Sequence, residues 1–225
     1  MIIVEKMKKR IEEIEQEIKK YSPYPEKVRI VAATKYTDAA GVENVVNAGV
    51  LDVGENRVQS MMEKIEKINN DKIKWNFIGH LQKNKVKYII DSVYLIHSVD
   101  SIELALEIDK RAKKINKVIN ILLELNIAGE ESKNGYSEQK IFEEAKEYLK
   151  FENLNVIGLM GMAPNTDDKE ILHKVFSRLR EIKDRLNAEI FNGNLSELSM
   201  GMSNDYIIAL EEGATLIRIG SKLFK

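Results

Sequence analysis

Short apolar segments alternate with longer amphipathic segments along most of the chain. The short segments predict eight β-strands, at residues 28–36, 50–55, 75–80, 93–97, 118–126, 156–162, 197–202 and 215–220. Between the strands, apolar residues recur every three or four positions, as in helices that bury one face. Strands that alternate with helices form parallel sheets, and eight such units close into a barrel. The pattern therefore predicts the α/β fold class and a single (β/α)8 TIM barrel.

A further amphipathic helix is predicted before the first strand, over residues 1–22. Two prolines, Pro23 and Pro25, end it. Its apolar residues fall on one side of the helix, at Met7, Ile11, Ile14, Ile18 and Tyr21. Because only five residues follow Gly220, we expect this helix to cover the seam that a last barrel helix normally covers. We predict one domain over residues 1–225, with the barrel at 28–225.

Composition limits the function classes. The 35 Lys and Arg residues nearly balance the 36 Asp and Glu residues, so no overall positive charge favours nucleic acid or anionic lipid. The chain has no cysteine, which excludes disulfides, thiolate catalysis and cysteine metal ligands. No apolar run reaches membrane-spanning length, and the N-terminus lacks the residue order of a signal peptide. We expect a cytoplasmic protein that binds neither nucleic acid nor membrane.

Glycine and polar residues concentrate at the C-terminal ends of the predicted strands, which in a TIM barrel share the face of the active site. Lys35 ends the first strand. We expect burial to lower the pKa of its amine, which would favour Schiff-base formation with a carbonyl. The alternative is a lysine that extends to solvent. We expect no metal site, because His80 and His97 have no accompanying ligand cluster.

Two glycine–serine pairs indicate the kind of ligand. Gly201 and Ser203 follow the seventh strand, and Gly220 and Ser221 follow the eighth. The loops after these two strands form the recurrent phosphate site of TIM barrels. A lysine that can form a Schiff base, a phosphate site and the inward-facing Arg218 together suggest pyridoxal phosphate (PLP) as cofactor.

Segments at the strand ends carry a resemblance to a known family. They are AATK at 32–35, GEN at 54–56, FIGHLQKNK at 77–85, HSVD at 97–100, NIAGEESKNG at 126–135, GLMGMAP at 158–164, LSMGMS at 198–203 and IRIG at 217–220. In these segments the chain resembles the pyridoxal-phosphate homeostasis protein family. That family is also called the proline synthase co-transcribed group, and it is related to the barrel domain of alanine racemase.

The resemblance implies a fold-type-III PLP barrel in which Lys35 holds the cofactor as an internal aldimine. It implies that Arg218 faces the pyridine nitrogen and that Asn56 and His80 stand near the ring. An arginine at this nitrogen keeps it unprotonated, which weakens the ring as an electron sink.

The resemblance also implies a phosphate cradle. Ser203 and the backbone of Gly220 and Ser221 would bind the phosphate, and Ser199 and Met202 would line the same cradle.

Racemases of this type add a tyrosine from a separate C-terminal domain, and because only five residues follow Gly220 we expect no such domain here. Tyr36 and Tyr206 could replace it, although packing explains each more simply. We therefore predict a protein that carries and buffers PLP without robust catalysis, and not an enzyme. The alternatives are a small PLP-dependent amino-acid racemase, a Schiff-base aldolase and an interaction scaffold. We expect transient contact with apo-PLP enzymes, a monomer or weak dimer, and a candidate lid at 129–135.

Overall fold

Eight parallel strands form a closed barrel in the computed structural model of this protein, which describes residues 2–129 and 134–224. The strands follow one another around the barrel in chain order, and β1 pairs with β8 to close it. Their bounds are β1 Arg29–Ala33, β2 Asp52–Glu55, β3 Lys74–Phe77, β4 Val93–Val99, β5 Ile119–Leu125, β6 Leu154–Gly161, β7 Glu197–Met202 and β8 Leu216–Ile219. The predicted (β/α)8 TIM barrel is confirmed.

Helices surround the barrel. Their bounds are α1 Ile2–Tyr21, α2 Ala39–Asn47, α3 Val58–Lys67, α4 Val86–Ile89, α5 Ile102–Lys114, α6 Glu138–Glu144, α7 Lys169–Leu186, α8 Tyr206–Glu211 and α9 Ser221–Phe224. Short 3-10 turns lie at Pro25–Lys27, Lys83–Lys85 and Ala145–Lys150, and a π-turn at Asn187–Phe191 ends α7. The N-terminal helix α1 packs on α2, α8 and α9, so it covers the barrel seam as expected.

Two apolar cores hold the fold together. The larger lies between the barrel and the helices and includes the buried stripe of α1. The smaller takes one residue from each of five strands, which places it inside the barrel: Val31, Leu95, Leu122, Met160 and Leu216. Because strand side chains alternate between faces, residues two positions along from these also point into the barrel.

The strand ends differ from the predicted bounds where loop contacts decide them. β1 ends at Ala33 rather than at 36, because the Thr37 N–H donates to the Thr34 carbonyl at 3.0 Å and turns the chain. β3 ends at Phe77 rather than at 80. Gly79 lies against Asn56, the residue that follows β2. A Cβ at position 79 would be only 2.2 Å from the Asn56 carbonyl oxygen.

The proposed lid at 129–135 falls mostly on residues 130–133, which lie outside the described part of the chain. In residues 2–129 and 134–224, no helix combines the length and apolar character needed to span a lipid bilayer.

Candidate functional site

A cavity of about 430 Å³ opens at the C-terminal ends of β1, β6, β7 and β8. It brings together six of the nine residues that the sequence singles out, which are Lys35, Met202, Ser203, Arg218, Gly220 and Ser221. The other three, Asn56, His80 and Ser199, do not line it. The C-terminal face of the barrel therefore carries most of the predicted constellation in one place.

Lys35 lies in the turn after β1 and is exposed. Its Nζ atom is 4.9 Å from the ring centroid of Tyr36, which is 90% exposed and lines the same cavity. The expected desolvation of the Lys35 amine is not observed, because the strand ends two residues earlier and leaves this side chain in contact with water.

A buried ion pair lies beneath this turn. The Nζ atom of Lys64 on α3 lies 2.5 Å from Oε1 of Glu55 and donates to the Thr34 carbonyl oxygen at 2.8 Å. The hydroxyl of Thr34 also donates to Glu55, as does that of Ser60 at 3.0 Å. These contacts fix the backbone immediately before Lys35, and sequence reasoning missed the cluster.

The two glycine–serine loops meet at the cavity, as predicted. The Ser203 hydroxyl oxygen accepts from the backbone N–H of Gly220 at 3.1 Å and of Lys222 at 3.4 Å. Gly201 has a φ of +88°, and a Cβ there would lie 2.6 Å from the Cβ of Ala209, so only glycine fits this turn. The turn brings Ser203 from the end of β7 to the end of β8.

Arg218 lies inside the barrel at the floor of the cavity and is only 5% exposed. Its Nη1 donates to the Ser199 hydroxyl at 2.6 Å, and its Nη2 donates to the Gly161 carbonyl at 3.1 Å. Burial lowers the pKa of this guanidinium to about 10, against the opposing charges of Asp205 and Glu124. The group is therefore still a cation at neutral pH.

Ser199 is fully buried below the cavity instead of lining the cradle. Its oxygen lies 2.8 Å from Nδ1 of His97, whose Nε2 lies 3.0 Å from Oδ1 of Asn76. Burial, with the nearby charges of Arg218 and Arg29, holds the pKa of His97 well below its ordinary value. His97 is therefore a neutral imidazole. The role of Asn76 carried no sequence signal beyond a polar residue in a buried strand.

Asn56 and His80 line a neighbouring cavity of about 630 Å³, together with Arg57, Lys85 and other residues of α3 and the β3–α4 segment. The imidazole Nδ1 of His80 lies 3.5 Å from Oδ2 of Asp100. The structure thus separates these two residues from the cavity that contains Lys35. Their contact with a cofactor ring stays a prediction.

Tyr206 does not reach the cavity. It is 3% exposed, and its hydroxyl contacts Glu17 of α1 and Lys222 of α9. Lys222 Nζ lies 2.8 Å from Oε2 of Glu17. This cluster joins the N-terminal helix to the last turn of the chain. Within residues 2–129 and 134–224, no group of three His, Asp or Glu side chains is arranged to hold a metal ion.

Similarity to known proteins covers nearly the whole chain. The alanine racemase N-terminal domain family matches residues 4–225. The pyridoxal phosphate homeostasis protein of Aquifex aeolicus is 42% identical over 196 residues, which cover 87% of this chain and 86% of the relative. The protein of the same name from Synechocystis is 35% identical and covers 89% of this chain and 92% of the relative.

Solved structures agree with this relationship. PipY of Synechococcus elongatus PCC7942, solved with PLP bound, superposes with a TM-score of 0.89 at 28% identity, over 97% of this chain and 100% of PipY. Alanine racemase of Clostridium difficile 630 shares the fold, with a TM-score of 0.76 at 15% identity, over 92% of this chain and 54% of the racemase. By its sequence relatives and its barrel, the chain belongs to the pyridoxal phosphate homeostasis protein family.

Proposed function

We propose that this protein binds PLP covalently through Lys35 and carries it, which limits the concentration of the free aldehyde. The supporting observation is that Lys35, Ser203 and Arg218 share one cavity of about 430 Å³, a size typical of small-molecule sites. The donor set suits the cofactor, since hydroxyl, backbone and cationic donors bind phosphate. PLP supplies an aldehyde carbon, to which a lysine amine joins through a carbon–nitrogen double bond with loss of water.

The phosphate of PLP would lie at the junction of the two glycine–serine loops. Ser203 and Ser221 offer hydroxyl groups there, and Gly220 allows the backbone to approach closely. Met202, which is 40% exposed, forms an apolar wall of the cavity. Ser203 bridges the two loops by accepting from the Gly220 N–H, which holds the proposed phosphate donors close together.

Arg218 would face the pyridine nitrogen of PLP. A guanidinium has only donors, and with a pKa of about 10 it keeps its charge at neutral pH. It would therefore hold a facing ring nitrogen unprotonated, which weakens the cofactor as an electron sink. The sequence relatives in the comparison are likewise named for homeostasis. We accordingly propose carriage without robust catalysis.

A small amino-acid racemase is the second candidate, and one observation favours it. Tyr36 is 90% exposed and lines the cavity beside Lys35, so a phenol is present where a second base would be needed. Tyr206 offers no such group, because it is buried against Glu17 and Lys222. A racemase would interconvert the enantiomers of an amino acid, and Tyr36→Phe would abolish that activity. A carrier would show no Tyr36-dependent turnover.

Titration of the purified protein with PLP tests the carrier proposal. Lys35→Ala should abolish the visible absorbance of bound PLP. Lys20→Ala is the matched control, because Lys20 is also exposed, also precedes a tyrosine, and places its Nζ 4.8 Å from the Tyr21 ring. The proposal fails if both variants bind PLP as the unmodified protein does. A cytoplasmic location, transient contact with apo-PLP enzymes, and a monomer or weak dimer stay predictions.

A further inference from the structure

A chain of hydrogen bonds runs through the barrel interior from the floor of the cavity. It passes from Arg218 to Ser199 at 2.6 Å, from Ser199 to His97 at 2.8 Å, from His97 to Asn76 at 3.0 Å and from Asn76 to Asp52 at 3.2 Å. All five side chains are buried. Asp52 begins β2, so the chain of bonds extends to the end of the barrel opposite the cavity.

The chemistry of Asn76 sets the direction of these bonds. Its Nδ2 lies 3.2 Å from the Asp52 carboxylate and 2.9 Å from the Lys74 carbonyl. Both are acceptors, so the amide must turn its nitrogen towards them and its oxygen towards His97. The His97 Nε2 therefore carries a proton and donates to Asn76.

The remaining bonds follow from the neutral state of His97. Its Nδ1 has no proton and accepts from the Ser199 hydroxyl, because a neutral imidazole has one donor and one acceptor. The Ser199 oxygen then accepts from Nη1 of Arg218. Gly161 accepts from Nη2, so two of the five N–H bonds of Arg218 are fixed inside the protein. The part of Arg218 that lines the cavity has only N–H donors to offer.

We propose that Ser199, His97 and Asn76 are positioning residues that hold Arg218 in one orientation and thereby select ligands that present a hydrogen-bond acceptor at the cavity floor. The proposal rests on the proposed PLP function and specifies which form of the ring the site accepts, namely one with an unprotonated nitrogen. It also gives Ser199 a role different from contact with the phosphate. Asp52 is held in turn by Arg29 at 3.3 Å, which anchors the far end.

The test compares two buried hydroxyls. Ser199→Ala removes one from this chain of bonds, and Ser98→Ala removes one that has no hydrogen-bond partner among the described residues. The probes are PLP and its 1-deaza analogue, in which a C–H replaces the ring nitrogen. We expect the unmodified protein to bind PLP about tenfold more tightly than the 1-deaza analogue, because the analogue lacks one hydrogen bond to the charged Arg218. Ser199→Ala should reduce that preference to below about threefold, and Ser98→Ala should leave it unchanged.

The state of His97 can be read without any ligand. Nitrogen-15 NMR of the unmodified protein should show a protonated Nε2 and an unprotonated Nδ1. Among variants, His97→Asn keeps an acceptor near the former Nδ1 and should retain more of the preference for PLP than His97→Leu.

The outcomes separate the two proposals. If the unmodified protein does not bind PLP, the proposed function fails, and the NMR measurement still tests the direction of the bonds. If it binds PLP but Ser199→Ala and Ser98→Ala show the same preference, the positioning role is refuted while the carrier function stands. A proton on Nδ1 of His97 would also refute the positioning proposal, even if Ser199→Ala fails to fold.

Discussion

Replacing Lys64 by methionine removes the cation from the buried ion pair beneath the end of β1. The side chains of Lys64 and Glu55 are 7% and 0% exposed, and the two charged atoms lie 2.5 Å apart. Methionine has a similar length but no charge. The variant leaves the Glu55 carboxylate buried with the hydroxyls of Thr34 and Ser60 as its donors, and the Thr34 carbonyl loses the Lys64 N–H.

The expected cost follows from this geometry. Removing one partner of a buried ion pair costs about 3–5 kcal/mol, because the other charge stays desolvated and uncompensated. Two hydroxyl donors remain on Glu55, so we expect the lower end, about 3 kcal/mol. In a domain of this size each kcal/mol corresponds to about 2–4 °C, so Tm should fall by about 6–12 °C.

Urea and thermal denaturation of four proteins test this estimate: the unmodified chain, Lys64→Met, Glu55→Gln and the double variant. The double variant should lose less free energy of unfolding than the two single variants together, since it leaves no unpaired charge. Lys150→Met is the control, because its 2.7 Å pair with Glu147 is exposed and such pairs contribute about 0–1 kcal/mol. The reasoning is refuted if Lys64→Met costs no more than Lys150→Met.

Two further predictions concern the barrel interior and the β7–α8 turn. Gly201→Ala should lower the free energy of unfolding by about 1–3 kcal/mol and weaken PLP binding. The reason is that the φ of +88° at Gly201 and its contact with Ala209 leave no room for a methyl group. Unchanged urea denaturation and an unchanged PLP titration would contradict this prediction. Burial, with the charge of Asp100, raises the pKa of Glu124 from its ordinary 4.5 to about 7. The folded state therefore binds the proton of the Glu124 carboxyl more tightly than the unfolded state does. The stability that this protonated carboxyl confers is lost as pH rises through about 7. Glu124→Gln should accordingly stabilise the protein more at about pH 8 than at about pH 5, by up to about 3 kcal/mol in urea denaturation, and equal effects at both pH values would refute the assignment.

The barrel could be predicted from the sequence because the alternation of a short apolar strand and an amphipathic helix is repeated eight times. Each strand is a short apolar run and each helix has one apolar face, so an error at one boundary does not change the topology. The stripe of α1 was predicted for the same reason, and Met7, Ile11, Ile14 and Ile18 are all buried. The glycine–serine loops were predictable because the ends of β7 and β8 are neighbours in any such barrel.

The positions and exposure of individual side chains at the strand ends were less predictable, because they depend on contacts between residues that are distant along the chain. Lys35 is exposed since a turn at Thr34 ends β1 early, and the Lys64 contact that holds this turn is 30 residues away along the chain. Ser199 and Ser203 both lie near the C-terminal end of β7, yet Ser199 is buried inside the barrel and Ser203 lines the cavity. Contacts with residues distant along the chain separate their roles, because Ser199 bonds to His97, 102 residues away, and Ser203 accepts from the Gly220 N–H.

The central claim is that Lys35 is the residue that holds PLP. The most direct measurement is borohydride reduction of the PLP-loaded protein, which converts the carbon–nitrogen double bond into a stable amine, followed by mass spectrometry of the peptides. We predict loss of the visible absorbance and a pyridoxyl group on the peptide that contains Lys35. Modification of a different lysine such as Lys222, or no modified peptide at all, would contradict the account.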